Sequence, residues 1–268
     1  MTWTFLSKNN QDKYIEMFAR GAGSVPIALE TWQYEHDQNT IVVRGIMKHK
    51  IIKKCWQDQR PFLYMDSGYV GNRASTNNPN GWKHYHRIVF NDLQHDKIIP
   101  RSADRWERLR IKIQPWRCTG NKILIVAPDE KPCIFYGIDL EQWISQTVAT
   151  IKQHTDRPVE IRQRNPDRRV RVKNNLESAL DDVHAVVTFN SIAATESILA
   201  GVPAFVIAPA ANAAKPVCNT DLSKIETPWL PDSDLIYKWA CHLAYGQFHT
   251  TELANGTAAR ILKETLSA

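Results

Sequence analysis

The run from Asp181 to Ala208 limits what this chain can fold into more than any other stretch. His184 to Phe189 is apolar, rich in β-branched residues and unalternated, the pattern of a strand covered on both faces of a parallel sheet. Asn190 and Ser191 interrupt it. Ser191 suits an N-cap, and Ile192 to Ala200 is a run of helix formers closed by Gly201 and Pro203, so strand, tight turn and helix follow one another directly. Val202 to Ala208 then predicts the next buried strand. A parallel strand that runs into a helix leaves free amides and a positive dipole end at the carboxyl edge of its sheet, where open α/β folds hold phosphate. Glu196 would lie about a turn and a half into that helix, within reach of a ribose beside a phosphate held at Ser191. The same residues also suit an ordinary βαβ unit in which Ser191 caps and Glu196 is solvated.

Composition bounds the rest. With 268 residues, 43% hydrophobic and 23% charged, the chain is globular and long enough for one large or two modest domains. No apolar run is long enough to span a membrane, and the N-terminus lacks a charged-then-apolar signal, which predicts a cytoplasmic protein without membrane contact. Cys55, Cys118, Cys133, Cys218 and Cys241 are scattered singly, against a disulfide framework or a zinc site. The net charge of +6 favours polyanionic partners without requiring one.

The N-terminal part reads as a helix over 10–20, short strands at 26–29 and 41–45, an amphipathic helix over 48–59 and a strand at 62–65. That last strand delivers Asp66-Ser67-Gly68-Tyr69, an acid at a strand's carboxyl end followed by glycines, as α/β enzymes place a catalytic carboxylate. Asp66 is the candidate base for deprotonating an attacking hydroxyl, with Asp92, His84, His86 and His95 as runners-up. Asp66 equally suits an Asx turn or a helix cap. Trp82 to Asp92 crowds aromatic, histidine and basic residues, so Tyr69, His84, His86 and Arg87 are candidates to hold an acceptor, whether a flipped base or a sugar. His84 and His86 lack a third ligand in register, and no metal site is expected. Pro115 to Gly120 breaks the chain, which places a boundary between domains 1–118 and 119–268. Beyond it, strands at 122–127 and 159–162 flank a helix over 139–154, and 157–173 is the most basic stretch, usable for phosphate or simply solvated.

The pattern Glu196-x4-Gly201-x-Pro203, with Ser191 five residues earlier after a hydrophobic strand, resembles the nucleotide-binding segment of GT-B glycosyltransferases. The resemblance implies two Rossmann-like α/β domains facing across a cleft, with the last helix crossing back to the first domain. It implies that Asn190 and Ser191 hold a donor's diphosphate and that Glu196 accepts from the ribose. It also implies that Lys131, with Asp129, lies in a donor-facing loop and that Arg162 or Arg164 neutralises the leaving group in place of a metal. The expected donor is a nucleotide-sugar, UDP-linked by preference, with no tightly bound cofactor. The acceptor is expected to be a hydroxymethylated base in double-stranded DNA, since the basic, aromatic first domain resembles the DNA glucosyltransferases of bacterial viruses in that respect. The alternatives are a surface or capsular glycan as acceptor, a UDP-sugar 2-epimerase of the same fold, and a non-catalytic nucleic-acid-binding protein.

Overall fold

A computed structural model describes residues 2–8, 12–72, 84–117, 119–163 and 176–267. The chain divides into two compact units, Met1–Gln94 with Ala244–Ala268, and His95–Leu243. The sequence reading had put the boundary near residue 119; the chain leaves the first unit after residue 94 and returns to it near the end.

The first unit opens with a strand, Trp3–Ser7 (β1), and a helix, Lys13–Gly21 (α1). Asp12 caps the helix by accepting the Tyr14 and Ile15 amides at 3.2 and 3.3 Å. Two further strands, Ile27–Ala28 (β2) and Thr40–Arg44 (β3), a helix His49–Gln57 (α2), and strands Phe62–Ser67 (β4) and Tyr85–Phe90 (β5) follow. The second unit holds Asp104–Leu109 (α3), Lys122–Val126 (β6), Glu130–Tyr136 (α4), Leu140–Lys152 (α5), Val159–Arg162 (β7), Leu176–Ala179 (α6), Val183–Thr188 (β8), Ala193–Leu199 (α7), Ala204–Val206 (β9) and most of Ser233–Tyr245 (α8). Gln247–His249 (β10), Thr250–Ala254 (α9) and Thr257–Ser267 (α10) complete the first unit.

The first sheet has the order β10-β5-β4-β3-β1-β2. Strands β2, β1, β3 and β4 run parallel, whereas β5 is antiparallel to both β4 and β10. One face packs Phe5, Val42, Leu63, Met65, Ile88 and Phe248 against Ile15 and Phe18 of α1 and against the last two helices. The other face carries α2, whose Trp56 meets Phe62 edge-on at 6.1 Å. The second sheet is wholly parallel, in the order β7-β6-β8-β9. Ile123, Ile125, Ala185 and Val187 face Ile151 of α5, and Leu124 and Val186 face Leu176, Leu180 and Ala193 on the other side. All six residues of β8 are buried, as its unalternated sequence predicts. Each unit is therefore a Rossmann-like α/β layer, in agreement with the predicted fold class.

Three elements escape the sequence reading. The strand β1, next to the edge strand β2, mixes Thr4 and Ser7 with apolar residues in only five positions. The strand β10 is three residues long and begins with the wholly buried Gln247. The helix α4 was read as a loop because of Asp129-Glu130-Lys131-Pro132, yet proline is tolerated in a first turn. The C-terminal helical stretch is divided in two, because Gly256, at φ +88, breaks it between α9 and α10. No helix among the described residues is long and apolar enough to cross a membrane.

The turn from α7 into β9 needs glycine. Gly201 has φ +76, and a Cβ there would lie 2.1 Å from the Pro115 carbonyl oxygen. The Gly201→Ala variant is expected to lose at least about 2 kcal/mol, from left-handed strain plus the displaced carbonyl. Urea denaturation measures this, and an unchanged midpoint contradicts the packing described.

Candidate functional site

The order of strands in the second sheet creates the first site. From β6 the chain passes to β7 on one side and then to β8 on the other, so the connections that leave β6 and β8 cover opposite faces. The crevice at the carboxyl ends of β6 and β8 is the topological switch point where open α/β sheets take ligands. The segment Ala127–Lys131 lines one side of it and Phe189–Glu196 the other, and Arg162 ends the neighbouring β7. The parallel sheet thus brings Lys131, Arg162, Asn190, Ser191 and Glu196 to one edge. Arg164 lies outside the described residues.

The turn after β8 is built from side chains. Ser191 Oγ accepts the Ala193 amide at 3.1 Å, and the Ser191 carbonyl accepts that of Ala194 at 3.3 Å. Among the described residues, the amides of Ser191 and Ile192 meet no acceptor. The seven-residue helix α7 starts at Ala193, so Ser191 caps it from two residues upstream. Glu196 is half-buried in its first turn, with its amide on the Ile192 carbonyl at 3.1 Å. Asn190 has a different part from the one expected. Its Nδ2 donates to the Tyr136 hydroxyl at 2.9 Å and its Oδ1 accepts from Asn212 Nδ2 at 2.7 Å, so its side chain is engaged in holding the turn. Asn212 is fully buried, and its Oδ1 accepts the Ala214 amide at 2.9 Å. Tyr136 and Asn212 were missed from sequence; the only signal was a polar residue in an alanine-rich loop. Lys131 is exposed in the first turn of α4, and Arg162 is half-buried at the end of β7.

The second site is the carboxyl edge of the first sheet. Asp66 is the last residue but one of β4, beside Arg87 of β5, its register partner. Its carboxylate accepts from the Tyr64 hydroxyl at 2.6 Å and the Ser67 amide at 2.8 Å, and lies 3.6 Å from Arg87 Nη2. Burial pushes the Asp66 pKa up, but Arg87, Tyr64, Ser67 and Arg44 together outweigh it, and the carboxyl titrates below the usual range. Asp66 is therefore a held anion, 30% exposed.

Three residues expected to meet an acceptor are inside the unit instead. Strand β5 is paired on both edges and covered on both faces, so alternation sends His86 under one layer and Arg87 under the other. Arg87 is 8% exposed and donates to the Ser67 and Leu93 carbonyls at 2.6 and 3.0 Å. Tyr69 is 1% exposed, with the Arg87 guanidinium 5.6 Å from its ring. His86 is 2% exposed against the Tyr14 ring, 4.1 Å between centroids. His84 is half-buried and stacks on His249 at 5.4 Å. Of the runner-up bases, Asp92 accepts the Leu93 amide at 2.7 Å, and His95 lies in the second unit, edge-on to His242 at 5.2 Å. Among the described residues, no group of three or more potential metal ligands lies together.

No protein-family model matches the chain, and no curated protein sequence matches it significantly. Solved structures do. Thermosulfurimonas dismutans KpsC, described as a beta Kdo 2,7 transferase, superposes with a TM-score of 0.54 at 12% identity, covering 96% of this chain and 99% of the other. KpsC of the same organism, described as a beta Kdo 2,4 transferase, gives a TM-score of 0.50 at 10% identity, covering 90% of each chain. At such identities the likeness is one of fold. It spans both units, so neither is an addition to the shared architecture.

Two buried histidines contribute to the response of this fold to acid. Burial, reinforced by Arg44, pushes the His86 pKa down to about 4, against the opposing pull of Asp66 and Asp12. Burial and Arg101 do the same to His242, also to about 4. Among the described residues, neither ring nitrogen of His86 has a hydrogen-bond partner of good geometry, and His242 meets the Ile99 amide at 3.4 Å on Nδ1 while its Nε2 meets none. Both rings are neutral in the folded state, so their stabilisation is complete above about pH 6.5 and is lost as pH falls towards 4, while the unfolded chain takes up the protons. The expected loss is on the order of 3 kcal/mol for each ring. Urea midpoints between pH 7 and 4.5 check this: the slope should flatten in His86→Phe and in His242→Phe.

Proposed function

We propose that the protein is a glycosyltransferase that moves a sugar from a nucleotide-sugar to a hydroxyl of a glycan. The observation that carries this reading is the coincidence of a fold shared with two solved sugar transferases over 90% and 96% of the chain with a polar turn at the switch point of the second sheet. In this reading the leaving phosphate rests on the Ser191 and Ile192 amides. Glu196 accepts from the ribose hydroxyls. Arg162 and Lys131 meet the charge that develops on the leaving group, and Arg164 is a further candidate for that part. A uridine nucleotide remains the preferred donor to try first.

The glycan acceptor is preferred to DNA on a physical ground. Nucleic-acid contact was expected from Trp82 to Asp92, but its described basic residue, Arg87, is buried and engaged with Asp66, Ser67 and Leu93. The carboxyl edge of the first sheet presents the anionic Asp66, which disfavours a phosphate backbone and suits a hydroxyl donor. Asp66 would accept the proton of that hydroxyl, or at least hold and orient it as the nucleophile. Its lowered pKa keeps it charged through the neutral range at the expense of basicity, so the rate should fall only at pH below the normal carboxylate range.

Calorimetry with a panel of nucleotides and turnover with a panel of nucleotide-sugars and glycans test the reading. Glu196→Ala should weaken nucleotide binding about tenfold, the loss of one good hydrogen bond to a charged group. Asp66→Asn should keep nucleotide affinity and lose at least about a hundredfold in turnover. Unchanged binding in the first variant removes the ribose role, and unchanged turnover in the second removes the assignment of Asp66.

A further inference from the structure

The first unit holds a recess of roughly 440 Å³ that none of the chemistry above uses. Its walls are Thr4 of β1, Ile27 of β2 and the segment between β2 and β3, which contributes Trp32, Gln33, Asp37 and Asn39 among others. Thr4 and Asn39 belong to the amino ends of β1 and β3, and Arg44 and Asp66 to the carboxyl ends of β3 and β4. The recess is therefore separate from the proposed site of transfer.

The walls are built and held. Trp32 Nε1 donates to Asp37 Oδ2 at 2.8 Å, and Asp37 Oδ1 accepts the Asn39 amide at 2.8 Å. Arg60 pins the segment from below by donating to the Tyr34 and Asn39 carbonyls at 2.6 and 3.2 Å, and it pairs with Asp37 at 3.3 Å. Burial raises the Asp37 pKa, but the bonds from Trp32, Thr4 and Asn39 and the Arg60 charge bring it below the usual range, so the pair stays ionised. Asn39 Nδ2 reaches Thr4 Oγ1 at 3.1 Å. The indole is thus fixed in place before any ligand arrives, which lowers the entropy lost on binding.

Around this fixed ring stand two exposed carboxamides and an imidazole. Gln33, His36 and Gln38 are exposed, and among the described residues none of these side chains has a hydrogen-bond partner. The one carboxylate among the described wall residues, Asp37, is paired with Arg60, whose guanidinium carbon lies 5.8 Å from the centre of the Trp32 ring, so the recess offers the remaining indole surface, two neutral amides and the His36 imidazole. An aromatic face takes the C–H side of a pyranose, and carboxamides give one donor and one acceptor to a pair of neighbouring hydroxyls. Among the described wall residues the only group other than the paired Arg60 that could meet a phosphate or carboxylate with charge is the His36 imidazole, and no lysine or free arginine lines the recess. The volume lies within the range of small-ligand pockets.

We propose that this recess is a binding subsite for one neutral sugar unit of a longer glycan, stacked on Trp32 and hydrogen-bonded by Gln33 and Gln38. The inference rests on the glycan reading of the acceptor given above, since a chain gripped at the far end of these strands matters only to an enzyme that works on an extended acceptor. Binding at the recess can nevertheless be measured without any turnover.

The test follows the Trp32 indole N–H signal in the ¹⁵N-labelled full chain, assigned by its absence in Trp32→Phe. Neutral oligosaccharides, a nucleoside monophosphate and inorganic phosphate are titrated separately. At least one neutral oligosaccharide should shift the signal saturably, while the nucleotide and phosphate leave it in place. Gln33→Ala and Gln38→Ala, both at exposed positions, should keep the fold and weaken that saccharide about fivefold each. With a long acceptor, Gln38→Ala should raise KM and leave kcat unchanged. If no saccharide moves Trp32, the subsite does not exist, whether or not the chain transfers sugar. A shift caused by the nucleotide or by phosphate in place of the saccharide also overturns it. Loss of transfer with an intact saccharide response would instead count against the proposed function alone.

Discussion

The uniform direction of the second sheet is the constraint on which the rest depends. Strand β8 pairs in parallel with β6 on one side and β9 on the other, and it is buried along its whole length. A strand so placed must satisfy its backbone entirely through its neighbours, and parallel neighbours can be connected only by crossovers over the faces. Both consequences fall on the same edge. The helices cover the two faces, and every turn that leaves a strand to reach its helix leaves at the carboxyl end. Residues far apart in the chain, from Lys131 to Glu196, come together for this reason. No side-chain attraction is needed to gather them.

Electrostatics then decides what the edges can do. In the first unit two pairs of opposite charges are compensated at this edge, Asp66 with Arg87 and Asp12 with Arg44, the latter at 3.2 Å. Arg87 is buried, and an uncompensated charge there would be costly, so the pairing with Asp66 and the two carbonyls is a requirement of the fold as much as of the site. The same environment holds Asp66 as an anion. His86, on the opposite face of the same strand pair, is held neutral by burial and by the nearby Arg44 charge. At neutral pH one edge therefore carries a carboxylate and a neutral imidazole within two residues of pairing register, an arrangement that local sequence does not announce.

Much of the architecture was legible because its signals are local. Unalternated apolar runs marked β6 and β8, and Ile51, Ile52, Cys55 and Trp56 gave α2 its apolar side. Ser191, Gly201 and Pro203 gave the turn and the end of α7 from their backbone preferences. What failed was non-local. Strand β10 is three residues long and exists because β5 offers it an unpaired edge, and β1 is recognisable only from the two strands beside it. The acceptor residues were misjudged for a related reason: a stretch such as His84 to Arg87 looks like a sticky surface until the sheet and its two helical layers enclose it. The use of Asn190 was likewise hidden, since its partners Tyr136 and Asn212 are 54 and 22 residues away.

By itself, then, the sequence determined the α/β class, the parallel course of the second sheet and the turn at Ser191, since each follows from periodicity or from the φ preferences of single residues over a few positions. Only the tertiary structure decided which polar residues face a ligand and which are spent on the fold, where Asp66 finds its counter-charge, and that Trp32 stands fixed at the wall of a recess. Those outcomes depend on burial and on pairings between distant segments, and burial is a property of the packed chain that no local pattern encodes.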